Sequence, residues 1–266
     1  MLDDAPVNPR TKDKLLNIRT RMAAGEPLQA AWLFMGCPIA AEVVAHGPFD
    51  FLILDTEHSP NTNESLYGQL RACDACEMPV VVRVPEVSPS LIKLALDAGA
   101  AGIAVPDMRH ADEAAKLVQH MRYSPAGRRG THRVARAAGY GFDWASYVNE
   151  VAPALLSIAL IESAQGVEAT PAIAATEGID AVFIGAVDLA ADLGHLNDMG
   201  HADVATALAR IEEAVAASPA VLGGLAGSVA QAREKVARGY GITSVGSDLV
   251  WLRDKVMTVA KEMAAS

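Results

Sequence analysis

Two carboxylates and an acidic loop with a histidine follow short apolar runs of the sequence. Glu162 and Asp188 each come at the end of such a run, and a third run leads into Asp55-Thr56-Glu57-His58. If the runs are neighbouring parallel strands, their carboxyl ends share one rim, so oxygen donors and an imidazole share a pocket. Mg²⁺ and Mn²⁺ prefer oxygen ligands. The spacing therefore predicts a divalent-metal site held by Glu162 and Asp188.

A simpler interpretation stays open for each carboxylate taken singly. Both acids precede predicted helices, and an acid in the first turn is stabilised by the helix dipole and by free backbone amides. The metal interpretation is favoured because His58 and Arg83 are expected on the same rim.

His58 and Arg83 are the candidate catalytic side chains. An imidazole with a pKa near neutrality suits a general base, although a single histidine can also be a hydrogen-bonded structural group. Arg83 ends the run at 80–82 and could stabilise an enolate oxygen or clamp a carboxylate. Its alternative role is an ion pair with Asp55 or Glu57.

The elements that must position these groups follow a repeating order of apolar run, polar loop and alanine-rich helix. The runs are nearly continuously hydrophobic, as in parallel strands covered on both faces. They lie at 29–35, 50–55, 79–83, 102–105, 155–161, 180–184, 219–223 and 241–245. Eight such units without a break in composition predict a single-domain (β/α)₈ barrel over residues 1–266, with an open doubly wound sheet as the alternative.

Three segments fall outside the eightfold rhythm. Residues 10–24 have helical spacing and predict a helix over one end of the barrel. The stretch between 121 and 154 is long enough to be a lid or a subunit contact, and its rim is left open. The predicted last helix, 248–264, carries an apolar stripe that could pack on its own barrel or swap onto a neighbour's.

Composition limits the classes of partner and compartment. The 266 residues are 51% hydrophobic and carry a formal net charge of -10, which argues against a nucleic-acid partner. The three cysteines and an amino terminus without signal-peptide features predict a cytoplasmic protein with no membrane partner. Cys73 and Cys76 have C-x-x-C spacing without a second pair and are interpreted as packing residues.

These motifs, taken in order, resemble the HpcH/HpaI aldolase family, the class II pyruvate-type aldolases. The resemblance covers residues 28–260. The motifs are Ala30-Ala31-Trp32-Leu33-Phe34, Asp55-Thr56-Glu57-His58-Ser59-Pro60, Val82-Arg83, Leu96-Asp97-Ala98-Gly99-Ala100, the loop Arg122-Tyr123-Ser124-Pro125-Ala126-Gly127-Arg128-Arg129-Gly130, Ile161-Glu162, and Phe183-Ile184-Gly185-Ala186-Val187-Asp188-Leu189. Two departures are Gly185-Ala186-Val187-Asp188 where many members have G-P-x-D, and Leu160 where some aldolases have a substrate-contacting glutamine.

The resemblance implies reversible retro-aldol cleavage of a 4-hydroxy-2-oxo acid to pyruvate, or a close 2-oxo acid, and an aldehyde. It implies Mg²⁺, Mn²⁺ or Co²⁺ held by Glu162 and Asp188, and a substrate carboxylate on the backbone of Gly185, Ala186, Val187 and Asp188. The alternatives are a citrate-lyase-like carbon–carbon lyase or decarboxylase and a non-catalytic metabolite-binding barrel.

The resemblance also makes Asp97 the support of the catalytic histidine and implies a homohexamer. Asp97 ends a helix and precedes the fourth strand, so it is expected on the amino-terminal rim, away from His58 of its own chain. We therefore expect Asp97 to act across a subunit interface. Asp55 is the competing partner of His58 within the chain.

Overall fold

A computed structural model describes residues 9–265 and contains one closed barrel of eight parallel strands in chain order. The prediction of a (β/α)₈ barrel is confirmed, and the open sheet is wrong. The strands are β1 Leu28–Leu33, β2 Phe51–Asp55, β3 Val80–Arg83, β4 Gly102–Val105, β5 Leu156–Ile161, β6 Ala181–Ile184, β7 Val221–Leu225 and β8 Ile242–Ser247.

Twelve α-helices among the described residues surround the strands and close their ends. They are α1 Pro9–Ala23, α2 Pro38–Ala45, α3 Asn63–Ala75, α4 Pro89–Ala98, α5 Ala111–Met121, α6 Trp144–Ser146, α7 Ala152–Ala154, α8 Ala164–Ala174, α9 Ala186–Asp192, α10 Ala202–Ala216, α11 Val229–Ala237 and α12 Asp248–Ala264. A 3₁₀ helix at Arg136–Gly141 and a π-helix at Tyr147–Val151 lie between α5 and β5.

The strand register places the candidate site residues on neighbouring positions of one rim. Asp55 pairs with Arg83 between β2 and β3, and Ile161 pairs with Ile184 between β5 and β6. Glu162 and Gly185 follow the second pair directly. Residues of these four strands are buried because helices cover the outside of the barrel and side chains fill its interior.

The long segment between α5 and β5 lies at the amino-terminal rim of the barrel. The sequence had not indicated which of the two rims it covers. It follows the end of a crossover helix and leads into the start of a strand. Helix α1 is joined to it: Lys12 pairs with Glu150 at 2.7 Å, and the Arg19 guanidinium donates to the carbonyls of Ala154 and Leu155 at 2.6 and 2.8 Å. The segment therefore closes the end of the barrel opposite to the strand ends that carry Glu162.

Helix α12 exposes much of its apolar surface. Trp251 stacks on Phe49, with ring centroids 5.8 Å apart, and this contact joins the first part of the helix to its own barrel. Farther along, apolar side chains including Leu252, Val256 and Met263 are more than half exposed. None of the helices within residues 9–265 combines the length and the apolar character of a transmembrane segment.

Candidate active site

The loop after β2 folds around the carboxylate of Asp55. This side chain is fully buried, and its oxygens accept the backbone amides of Glu57 at 3.2 Å and His58 at 2.7 Å. The side chains of Ser59 and Asn61 donate to the Asp55 carbonyl. The backbone of His58 is therefore held by Asp55, which contacts the histidine amide.

The imidazole of His58 is available to a ligand, because 63% of its side-chain surface is exposed. Its Nε2 lies 3.7 Å from Oε2 of Glu57. Among the described residues, no bond joins the Asp55 carboxylate to the ring, so Asp55 positions the loop and leaves the imidazole free to meet a substrate.

Arg83 ends β3 and fills the space beside this loop. Its Nε donates to Asp55 at 2.6 Å, and its Nη1 lies 3.0 Å from Oε2 of Glu57. The guanidinium also lies 4.7 Å from the ring centroid of Trp32, a cation–π contact. The ion pairs considered as an alternative role are thus present, and they hold a nearly buried positive charge at the rim.

Glu57 is a partly buried carboxylate with an incomplete set of partners. Burial raises its pKa, and the charge of Arg83 offsets part of that rise. Its Oε2 forms the ion pair with Arg83 but accepts no hydrogen bond from any described residue. A buried oxygen of this kind is available to a bound ligand or water.

Glu162 follows β5 and is the most strongly perturbed carboxylate of the pocket. It is only 8% exposed, and burial raises its pKa to about 7, although the Asp107 amide donates to its Oε2 at 3.0 Å. Gly185 packs directly over it: an added Cβ at Gly185 would lie 2.3 Å from Oε1. Only glycine leaves room for the carboxylate at this position.

Asp188 lies in the first turn of the short helix α9 and is exposed. Its negative charge raises the pKa of both Glu162 and Glu57, while Arg83 lowers the pKa of both. The carboxylates of Glu57, Glu162 and Asp188, which follow β2, β5 and β6, therefore interact electrostatically with one another. Arg83 lies among them on the same rim.

This donor set fits a hard divalent cation. A buried carboxylate with a raised pKa and an acidic neighbour is costly to ionise alone, and a bound cation offsets that cost. Glu162 and Asp188 supply carboxylate oxygens, the donors that such cations prefer. The chemistry of the residues thus matches the predicted metal site.

The backbone of 185–188 offers fewer free amides than the sequence interpretation assumed. The Gly185 amide donates to the Ile161 carbonyl at 3.1 Å, so it already has a partner. The amides of Ala186, Val187 and Asp188 begin α9, where the first N–H groups lack partners within the helix. These three amides are available to an anionic ligand.

Asp97 lies in the last turn of α4, at the amino-terminal rim as expected. It is paired within its own chain with Arg129, whose Nη2 lies 2.7 Å from Oδ1 of Asp97. Arg129 also donates to the Tyr147 hydroxyl at 2.9 Å and packs over the ring of Tyr123 at 4.6 Å. The structure does not bring Asp97 to His58 within one chain.

One residue near Glu162, Asp107, was missed by the sequence interpretation, and the role given to Gly185 was incomplete. Asp107 has a φ of 46°, uncommon for a residue with a side chain, and its amide is the one that Glu162 accepts. Gly185 was considered for its amide and not for the space that it leaves. The end of β4 at Val105 was a signal for Asp107, since polar residues after barrel strands face the same rim.

Comparison with known proteins gives consistent matches across the chain. The sequence model described as HpcH/HpaI aldolase/citrate lyase matches residues 30–254. A hydroxypyruvate/pyruvate aldolase of Paraburkholderia phytofirmans is 40% identical over 241 residues, which are 88% of this chain and 92% of that protein. A 5-keto-4-deoxy-D-glucarate aldolase of Escherichia coli strain SMS-3-5 is 37% identical and is matched over 91% of this chain and 94% of its own length.

A solved structure shares the whole architecture. The HpcH/HpaI aldolase/citrate lyase family protein from Burkholderia cenocepacia J2315 superposes with a TM-score of 0.88 at 39% sequence identity. The match covers 93% of this chain and 99% of that one.

Proposed function

Because the chain belongs to the HpcH/HpaI aldolase/citrate lyase family, we propose that the acidic pocket cleaves a 4-hydroxy-2-oxo acid to pyruvate, or a close 2-oxo acid, and an aldehyde. The chain is a carbon–carbon lyase of the class II aldolase type. The observation that carries the assignment of the pocket is Glu162, a buried carboxylate with a pKa raised to about 7 beside the charge of Asp188.

A divalent cation is the cofactor, and we propose that Glu162 and Asp188 hold it, with Mg²⁺, Mn²⁺ and Co²⁺ as the candidate metals. Such an ion supplies Lewis-acid polarisation of the 2-oxo group. Burial of Glu162 and its closeness to Gly185 fix one carboxylate, while exposed Asp188 adjusts to the bound ligand.

Arg83 and His58 then divide the remaining work. Arg83 lies between Asp55 and Glu57 in a nearly dry position, so its charge stabilises negative charge that develops on the 2-oxo oxygen. The exposed imidazole of His58 takes the proton of the 4-hydroxyl group during cleavage and returns it during addition, directly or through a water. The amides of Ala186, Val187 and Asp188 bind the substrate carboxylate.

We also propose that Asp97 acts across a subunit interface on the histidine of a neighbour, within a hexamer. Its place on the rim opposite to His58 supports a partner in another chain, and its ion pair with Arg129 holds the carboxylate in a fixed position. The exposed apolar side chains of α12 support packing against a neighbouring barrel. Light scattering gives the oligomeric mass, and a monomer would contradict this part of the proposal.

Asp97→Asn separates a role toward histidine from a structural role. If Asp97 supports a partner's histidine, the change lowers kcat and shifts the pH dependence of kcat while secondary structure is unchanged. If its only contact is Arg129, the variant loses stability and keeps the pH profile of the parent protein. Unchanged activity with an unchanged pH profile would exclude the cross-subunit role.

The proposed reaction is tested by metal-dependent release of pyruvate from 4-hydroxy-2-oxo acids and by aldol addition of pyruvate to simple aldehydes. We expect both activities to disappear on chelation and to return with Mg²⁺, Mn²⁺ or Co²⁺. His58→Ala and Arg83→Ala are expected to lack them despite native circular dichroism. Turnover of a thioester without aldol formation from any aldehyde would favour the citrate-lyase-like alternative instead. Localisation in the cytoplasm remains a prediction from the sequence.

A further inference from the structure

A second group of ligand-type side chains lies outside the acidic pocket, around the connection from α9 to α10. His195, His201 and Asp203 each offer a ligand atom, and these atoms lie within 4.8 Å of one another. Among the described residues, no other group of three or more His, Cys, Asp or Glu side chains has its ligand atoms this close together. None of the three belongs to the aldolase site proposed above.

The spacing of the donor atoms suits one transition-metal ion. Oδ2 of Asp203 lies 3.1 Å from Nε2 of His195 and 3.5 Å from Nδ1 of His201. Two ligands on a tetrahedral Zn²⁺ ion with bonds of about 2.0–2.1 Å are separated by roughly 3.3–3.5 Å. Both distances from the carboxylate to a ring nitrogen are therefore within about 0.2 Å of the separation between two ligands of one zinc ion.

The backbone around the connection holds the donors near one another. The His195 amide donates to the Ala190 carbonyl at 2.7 Å, which ties this residue to the end of α9. The His201 amide donates to the Asp198 carbonyl at 3.1 Å, and Asp203 lies in the first turn of α10. Nine residues thus carry three donors on a folded turn, and the loop-closure entropy of assembling them is small.

The two imidazole rings stack face to face, with centroids 3.5 Å apart and planes 16° apart. Ring nitrogen lone pairs lie in the ring plane, so the rings must tilt to direct both toward one ion. The side chain of His195 is 23% exposed and that of His201 is 37% exposed, which leaves room for this movement. Nδ1 of His201 also accepts the Asp203 amide at 3.2 Å and caps α10, a bond that ion binding would replace.

We propose that His195, His201 and Asp203 form a Zn²⁺ site with three protein ligands and one position for water. Imidazole nitrogen and carboxylate oxygen are zinc donors, and two imidazoles favour zinc over Mg²⁺, which prefers oxygen donors such as Glu162 and Asp188. The ion joins the end of α9 to the start of α10. Since α9 also carries Asp188, zinc in this site braces the helix that bears a proposed ligand of the catalytic metal.

The test separates this site from the aldolase site by removing the latter. The background variant is the untagged protein with the substitutions Glu162→Gln and Asp188→Asn. It is dialysed against Zn²⁺ in the presence of excess Mg²⁺, and the bound zinc is measured by elemental analysis. Adding His195→Ala and His201→Ala is expected to lower the zinc content by one ion per chain. The matched control, His120→Ala with His132→Ala in the same background, is expected to leave the zinc content unchanged.

Two further measurements keep the result interpretable. X-ray absorption of the zinc-loaded chain is expected to show two imidazole ligands, and Zn²⁺ is expected to raise the Tm of the background variant and not that of the loop variant. If the double histidine variant fails to fold, Asp203→Asn serves in its place and is expected to weaken zinc binding at least tenfold. Equal zinc content with and without the loop histidines, or no zinc in the background variant, would overturn the site whatever the aldolase assays show.

Discussion

Glu162→Gln is expected to stabilise the metal-free protein above pH 7. Burial raises the pKa of Glu162 from the ordinary value of 4.5 to about 7, so the folded chain holds this proton more tightly than the unfolded chain does. The proton on Glu162 therefore contributes to the free energy of unfolding in full below the pKa of the unfolded chain. This contribution is lost as the pH rises from 4.5 to about 7. A rise of this size corresponds to about 3 kcal/mol, at about 1.4 kcal/mol per pKa unit.

Glutamine has a similar shape, can still accept the Asp107 amide and carries no charge to bury. In EDTA at about pH 8.5, urea unfolding is therefore expected to show the variant more stable than the parent by up to about 3 kcal/mol. At about pH 4, below the ordinary carboxylate pKa, this gain is expected to vanish. Mg²⁺ at about 1,000 times its Kd is expected to reverse the order, because it stabilises the parent by about 4.1 kcal/mol and the variant binds it poorly.

Glu168→Gln is the matched control. Glu168 is an exposed glutamate of α8, and its hydrogen bonds from Arg210 lower its pKa. A lowered pKa contributes stability above the unfolded pKa, so this variant is expected to gain no stability at high pH. If Glu162→Gln also gains none in EDTA, the carboxylate is not desolvated as described, and the electrostatic argument for the metal site is refuted.

Three further substitutions test separate contacts. Gly185→Ala introduces a Cβ against Glu162 and is expected to weaken Mg²⁺ binding by roughly tenfold or more in titration calorimetry, whereas Gly200→Ala, which meets only an ordinary contact, leaves it unchanged. Arg83→Lys keeps the charge but loses the fork that reaches two acids, so kcat is expected to fall by about 10²–10³ with the circular dichroism spectrum retained; near-normal kcat would contradict its role. Tyr147→Phe removes the hydroxyl partner of buried Arg129 and is expected to cost about 1–3 kcal/mol in urea unfolding, and no loss would show that Arg129 finds another acceptor.

Much of the barrel was predictable because most of its strand residues are buried on both faces of the sheet. Such strands appear in the sequence as continuous apolar runs, and the run at 102–105 coincides with β4 at Gly102–Val105. The run at 219–223 was displaced from β7 at Val221–Leu225, since glycine is a weak indicator of a strand boundary.

The sequence by itself determined the kind of chemistry, because acid, imidazole and guanidinium groups at the ends of apolar runs must meet on one rim of a parallel barrel. Only the tertiary structure decided how each group is held. Residues far apart in the chain bury Glu162 against Gly185 and thereby raise its pKa. In the same way, Asp97 pairs with Arg129, which lies 32 positions later in the sequence. Desolvation and close packing depend on the atoms that surround a group in three dimensions, and the spacing of residues along one strand does not specify those atoms.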